Sequence, residues 1–487
     1  MKSVELSRAV ACGLVLVFGP ALHSLAQTSS SDPAKPAVSA YKELSLSAAA
    51  EPVPALTYRL IPAAFELNPG DAAPIYLRIR HELRDESFNE ISSRETEWMS
   101  LPLRNFPTAE ARKFVDSWLG RLKQIEFGTR RQYCDWSYTF PEQSSQPLTI
   151  LLPDAQSMRQ WARLIAIKAR LETAERQYDE AVQTLKMGLA FGRHVGEGPF
   201  LISALVGIAI EGLMLDRVEE LIAQPGAPNL YWALTALPNP LMPTKRALEL
   251  EQAIGENAIP ELRQALDAHS KAEWSAVLSR LYPHMRAVLA QLVEYEESTE
   301  SQKARTKLEL DAFRNEVIPL ARPWLVGRGY DKRAAEAMSD DEVVVRYVVE
   351  NFHILRDQIF KASYLPFASS RSFAERTAAD VKAAREGPLS VFATLFPMVR
   401  TVARSEVRLQ RRVALLRTIE AIRLYAASHG GKLPESLEQV KEVPVPNDPV
   451  TDQSFGYELK GNTAVITSPA IDGQAETALD YRLTIRP

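Results

Sequence analysis

The stretch from Ala162 to Ile222 constrains this chain more than any other, because its apolar residues recur at helical spacing with few breaks. Leu164, Ile167, Leu171 and Ala174 fall at i, i+3, i+7 and i+10 and share one helical face, while Arg163, Lys168, Arg170, Glu172 and Glu175 occupy the other sides. After a polar break at Arg176-Gln177, Tyr178, Ala181, Val182, Leu185 and Leu189 build a second apolar face. Neither stripe can be buried by its own helix, so the two are expected to fold back as an antiparallel hairpin. A third helix follows from Phe200 to Leu215 (FLISALVGIAIEGLML). It falls short of the ~20 residues a bilayer requires and Glu211 interrupts it, so it predicts a buried core helix instead of a membrane span. Gly207 and Gly212 would let neighbours approach it closely.

Tyr178-Asp179-Glu180-Ala181 resembles the start of the second helix of a tetratricopeptide repeat, and Ala169 and Ala181 stand where that repeat's close-packing small residues do. Lys168 and Arg176 depart from the repeat's Leu and Gly, and Arg193 from its Pro. A single unit is found, whereas a superhelix that grips peptides stacks at least three. A plain helical hairpin in a larger bundle is the other reading.

The first residues read as an export signal. Lys2 and Arg8 supply the positive end, Val10 to Leu22 the apolar middle, and Ser24-Leu25-Ala26 a small-x-small cleavage site. The expected location is periplasmic or extracellular, with no integral membrane span after signal removal. Removing the signal takes Cys12 with it and leaves Cys134, so no internal disulfide can form and the fold must rest on its core. A formal net charge of -4 and the lack of a basic run interleaved with aromatics argue against nucleic acid as a partner. The expected organisation is a signal peptide (1–26), a flexible Ser/Ala/Pro-rich linker (27–54), an N-terminal helical domain with the hairpin (55–243), a second helical region (244–400), and a long helix plus a small antiparallel sheet (401–487). Within these, 56–60 is expected to be extended, and Asn68-Pro69-Gly70-Asp71 to cap a helix starting near Ala72. A further helix is expected from Ala109 to about Glu126, and the fold class is mainly α with a small C-terminal α+β module.

Chemistry-bearing residues are few. Cys134-Asp135-Trp136 places a lone thiol beside a carboxylate and an indole. A nucleophilic cysteine needs a base or an electropositive setting, and a neighbouring carboxylate would raise its pKa. The competing reading is a buried Cys-Trp plug with Asp135 capping backbone N–H groups. His194 and Glu197, in GRHVGEG (192–198), form the best acid/base pair on offer, although His194 also suits a helix C-terminus, where the dipole favours a cation. No GxxxxGK[ST], HExxH, CxxC pair, GxSxG or Rossmann fingerprint occurs, and no cofactor is expected. Arg404, Arg408, Arg411, Arg412 and Arg417 are expected to form a solvated face of the long helix, paired with nearby carboxylates.

Two resemblances concern larger stretches. ALTYRL (55–60), NPGDAAPIYL (68–77), Cys134-Asp135-Trp136, AFGRHVGEGP (190–199), QPGAPNLYWALTALP (224–238) and LYAASHGG (424–431) together closely resemble a family of uncharacterised exported helical proteins of planctomycete bacteria. That resemblance implies export and a mostly helical body. From the long helix onward, Gly430-Gly431-Lys432-Leu433-Pro434, Asn447-Asp448-Pro449, Phe455-Gly456-Tyr457 and Asp472-Gly473 resemble the globular part of type II secretion pseudopilins. That second likeness implies a helix packed on a small sheet, and it makes Asp448 and Asp472 the candidates for oxygen ligands to calcium. The function expected from all this is an exported, non-enzymatic helical protein that binds another envelope protein or acts as an envelope scaffold. The alternatives are a secretion-apparatus component and an enzyme whose site is assembled from distant residues.

Overall fold

The computed structural model describes residues 41–486 except 82–84, 137–151, 199, 294–301 and most of 371–397. The expected signal peptide and the first half of the expected linker lie outside the described residues. The fold is mainly α with a small α+β part. The chain forms two compact units, one of residues 36–248 together with 400–487, the other built on residues 249–399.

The first unit opens with strand β1 (Lys42–Ser47), well inside the stretch expected to be a flexible linker. Its Ser-rich composition hid a short alternation in which Leu44 and Leu46 face inward, and Leu46 is fully buried. The segment 56–60, expected to be a short strand or extended, forms no strand and is interrupted by a turn at Leu56 and bends at Thr57 and Leu60. Strand β2 (Asn68–Asp71) leads into α1 (Ala73–His81) and α2 (Asp85–Met99). The helix expected from Ala109 is two helices, α3 (Thr108–Ser117) and α4 (Leu119–Thr129), joined at Trp118. Strand β3 (Arg131–Tyr133) then pairs in parallel with β2.

The expected three helices follow as α5 (Leu152–Ala174), α6 (Tyr178–Gly196) and α7 (Leu201–Ile222). Arg176 takes a positive φ of 61° at the α5–α6 turn, and the Gln177 N–H returns to the Glu172 carbonyl at 2.8 Å. Ile165, Leu185, Leu189, Met214 and Val218 meet in one core. The α6–α7 contact is close enough to need glycine: a Cβ on Gly207 would stand 2.7 Å from the Gly196 Cα and 2.8 Å from the Gly192 carbonyl oxygen. A short helix α8 (Tyr231–Thr235) completes this part of the unit.

The second unit consists largely of α9 (Lys245–Ala258), α10 (Glu261–Gln264), α11 (Lys271–Val293), α12 (Gln302–Gly327), α13 (Lys332–Ala337) and α14 (Asp340–Lys361). Pro260 separates α9 from α10, whereas Pro283 is carried inside α11. Ser339 caps α14 by accepting from the Glu342 N–H at 3.3 Å, as its position before Asp340-Asp341-Glu342 predicts.

The chain re-enters the first unit on α15 (Met398–Ser428), which ends at Gly430 and Gly431 with φ of 61° and 82°. Strands β4 (Gly456–Lys460) and β5 (Thr463–Thr467) form an antiparallel hairpin across Gly461, and β6 (Tyr481–Arg486) adds to β5. Strand β1 closes the sheet in parallel beside β6, giving the order β1-β6-β5-β4. Its inner face of Leu46, Ala464, Ile466, Tyr481 and Leu483 shares one core with Leu415, Leu416, Ile419 and Ile422 of α15 and with α5 to α7. The regions 55–243 and 401–487, expected as separate modules, therefore belong to one compact unit.

The arginines of α15 do not form a solvated face. Arg411 is fully buried and holds Asp448 through two bonds of 2.9 and 2.8 Å, and it also donates to the Pro469 and Thr477 carbonyls. Arg412 pairs with Asp216 on α7, Arg404 reaches Asp472 at 2.8 Å, and Arg423 pairs with Glu420 in the interior. Helical periodicity correctly separates these residues from the leucine stripe. It does not reveal that their side also faces protein, because Asp448, Asp472 and Asp216, which accept Arg411, Arg404 and Arg412, lie far away in sequence.

Candidate functional site

The residues with chemical potential converge at the C-terminal end of α6. Asp71, at the end of β2, accepts the Ala73 N–H at 3.0 Å and the Asp135 N–H at 2.9 Å. It thereby starts α1 and fixes the chain just after β3. That turn delivers Cys134 and Trp136 to the interior and leaves the Asp135 side chain outward, 4.0 Å from Arg246. Trp136 donates its indole N–H to the His194 carbonyl at 2.5 Å. The Tyr76 hydroxyl, on α1, lies 2.9 Å from His194 Nδ1, and the Tyr76 ring stacks with Trp136 and meets Phe191 edge-on. Glu197 accepts the backbone N–H of Cys134 and stands 3.6 Å from Arg193. Four of the five residues singled out from sequence (Cys134, Trp136, His194 and Glu197) are thus brought together. The backbone N–H of Asp135 is itself capped by Asp71.

The electrostatics oppose nucleophilic chemistry. Burial pushes the Cys134 thiol well up, and the carboxylates of Asp71, Glu197 and Asp135 push it further. Burial brings His194 down to about 4, helped by the Arg193 charge, so the imidazole is neutral. The expectation of a dipole-stabilised imidazolium is therefore corrected: the ring is only 7% exposed, and lost hydration outweighs the helix terminus. Burial also raises Glu197 against the pull of Arg193 and Arg246. A thiol 2% exposed and held protonated is suited to packing, not to nucleophilic attack.

Sequence reasoning missed Tyr76 and Asp71. The turn signal at Asn68-Pro69-Gly70-Asp71 was legible as a helix cap, but nothing local indicated that the same carboxylate would seize a second backbone segment. Glu211, read from sequence as an interruption of a buried core helix, is a buried carboxylate whose two oxygens have no hydrogen-bond partner among the described residues and whose pKa burial raises well above the ordinary value. Glu211 lies in the apolar first half of α7, ahead of the charged residues from Asp216 onward.

A serine–histidine–carboxylate group occurs at the end of α15. The Ser428 hydroxyl donates to Glu442 at 2.6 Å and lies 2.9 Å from His429 Nδ1. Glu442 approaches that same Nδ1 at 3.5 Å, and the Tyr425 carbonyl also faces it at 2.8 Å. A proton relay requires the serine on one ring nitrogen and the carboxylate on the other, so this arrangement is not one.

The calcium candidates are occupied by arginines. Asp448 is buried against Arg411 and also accepts the Val450 N–H at 3.0 Å. Asp472 binds Arg404 and Arg400, at 2.8 and 3.3 Å. Carboxylates neutralised in this way are not the open oxygen ligands a hard cation needs. Among the described residues no group of three or more His, Cys, Asp or Glu is placed to hold a metal ion. No helix among them is long and apolar enough to cross a membrane. Comparisons with protein-family models, with curated proteins and with solved structures found no match to this chain.

Proposed function

We propose that this is an exported, non-enzymatic helical protein that serves as a scaffold or binding partner for another envelope protein. The observation that carries this reading is the state of the Cys134–His194 cluster: its thiol and imidazole, the groups most suited to catalysis, are both buried and held in their neutral forms. Export rests on the sequence of residues 1–26. The hairpin of α5 and α6, with its likeness to one tetratricopeptide unit, supports a role in protein binding. The test is capture of the protein with its partners from its own envelope fraction, alongside Cys134→Ser and His194→Gln variants. A partner recovered in fixed stoichiometry, and still recovered with whichever variant folds, supports the scaffold. A variant that folds normally yet loses the cellular phenotype overturns it in favour of chemistry at the cluster.

A second reading, a component of a secretion apparatus, is favoured by the packing of α15 against a small sheet at the C-terminal end. Deleting the tail would not test it, since β6 and β1 share that sheet. Charge reversal of outward residues on β4, Glu458→Lys with Lys460→Glu, leaves the core intact. Unchanged secretion and assembly in that variant would count against this reading.

A further inference from the structure

The segment ahead of α1 is strapped along one face of α6. The Tyr58 hydroxyl donates to Asp179 at 2.8 Å, Glu66 pairs with Lys186, and Tyr76 meets His194. Positions 179, 186 and 194 share a helical face, so the strap follows the helix axis. The strap turns Leu56, just ahead of its first tie, and Phe65, between ties, outward, and Phe65, on a single 3-10 turn, is 82% exposed. The parallel pairing of β2 with β3, through the Asn68 N–H to the Arg130 carbonyl at 2.7 Å, brings the end of α4 to the same edge. Phe65 lies three residues before Asn68 and Phe127 three before Arg130, and Phe127 is 51% exposed.

Guanidinium groups accompany both rings. Arg131 lies 4.2 Å from the Phe127 ring centroid and Arg59 5.9 Å from that of Phe65. Around the rings and the Tyr58 tie, Arg59, Arg130, Arg131 and Lys186 stand against the carboxylates of Glu66, Glu126 and Asp179, and Arg131 also donates to the Pro69 carbonyl at 2.6 Å. Glu66 is taken by Lys186 and the Ala63 N–H, and Glu126 by Arg130. An excess of positive charge with two protruding phenyl rings is thus concentrated on a chain whose net charge is -4.

We propose that this face docks on an anionic lipid bilayer, with Phe65 and Phe127 entering the interface and Arg59, Arg130 and Arg131 meeting the phosphate headgroups. Apolar tips rimmed by arginine suit the boundary between acyl chains and headgroups, where the rings leave water and the cations meet a negative surface potential. This inference concerns a surface separate from the Cys134–His194 cluster and does not depend on the identity of any protein partner.

The test is co-flotation with vesicles of phosphatidylcholine alone and of an equimolar mixture with phosphatidylglycerol. Each variant is compared with the parent full chain, so that any contribution of residues 1–26 is common to both. The parent should bind the anionic vesicles more tightly, and added salt should weaken that preference. Phe65→Ala with Phe127→Ala, and separately Arg59→Gln with Arg131→Gln, should each reduce binding roughly ten-fold. Phe65→Leu should retain it, and circular dichroism melts identify any variant that fails to fold. Equal affinity for both vesicle types, or unchanged binding after loss of both phenyl rings, overturns the proposal. Failure of the parent to bind vesicles while binding an acidic protein also overturns it.

Discussion

His194 stands where a helix dipole favours an imidazolium, yet burial holds it neutral, and the conflict has a measurable consequence. Its folded pKa of about 4 lies below the ordinary value of 6.5, so between those values the unfolded chain binds a proton that the native state refuses. The stability contribution is therefore complete above pH 6.5 and is lost as pH falls toward 4, by ~3 kcal/mol at the limit. Glu197 and Glu211 have raised pKa values and act in the opposite sense, so the prediction is differential. Melting temperature against pH should fall less steeply on the acid side in His194→Gln than in the parent. The buried Arg411–Asp448 pair gives a second prediction. Arg411→Met leaves an unpaired carboxylate in the interior and should cost about 3–5 kcal/mol in urea denaturation. Combining it with Asp448→Leu should recover part of that loss, and a chelator should leave the melting temperature unchanged. At this scale the sequence revealed which residue types matter and concealed their partners. Cys134, Trp136, His194 and Glu197 stood out by chemistry, whereas Tyr76 is one phenol among many until α1 is placed beside α6.

Among the elements, those written in local periodicity were legible and those depending on distant pairing were not. The helices α5, α6 and α7 follow their apolar stripes, and the β4–β5 hairpin follows Gly461-Asn462. Strand β1 was hidden because its six residues pair in parallel with the C-terminal strand, and a short alternation inside a Ser-rich stretch carries little signal. The division of α3 from α4 at Trp118 was also not foreseen, since Gly120 beside it is a lone glycine within a run that keeps its helical apolar spacing. The close crossing of α6 and α7 was partly legible: of the two glycines expected to admit a neighbour, Gly207 does so and Gly212, with nothing within 4 Å of an added Cβ, does not. Gly207→Ala would set a methyl group against the backbone of Gly196 and Gly192. That backbone cannot rotate away as a side chain can, so the helices must separate, at a cost of about 1–3 kcal/mol. Gly212→Ala, where nothing lies within 4 Å of an added Cβ, should be neutral or slightly stabilising in the same denaturation experiment.

For the whole molecule, the compact unit of 36–248 with 400–487 is knit by long-range polar ties as well as by its core. Arg412 joins α15 to Asp216, Lys42 reaches Glu219 at 3.1 Å, and the Tyr481 hydroxyl reaches the same carboxylate at 2.8 Å. Arg423 donates to the carbonyls of Ser47, Ala227 and Pro228, holding three segments that are remote in sequence. Such ties explain why sequence patterning placed the helices yet divided the unit in two. They also place the Cys134–His194 plug inside a unit that must open before its groups meet solvent, and that is the central claim of the non-enzymatic account. The most direct measurement is the rate at which a thiol reagent labels Cys134 in the native protein, mapped to that residue by mass spectrometry across pH and urea concentration. The account predicts that labelling is slow throughout the native range and rises with the unfolding transition. Rapid labelling of the native protein near neutral pH would contradict it, because it would require an accessible thiolate at a site where every observed contact favours a buried thiol.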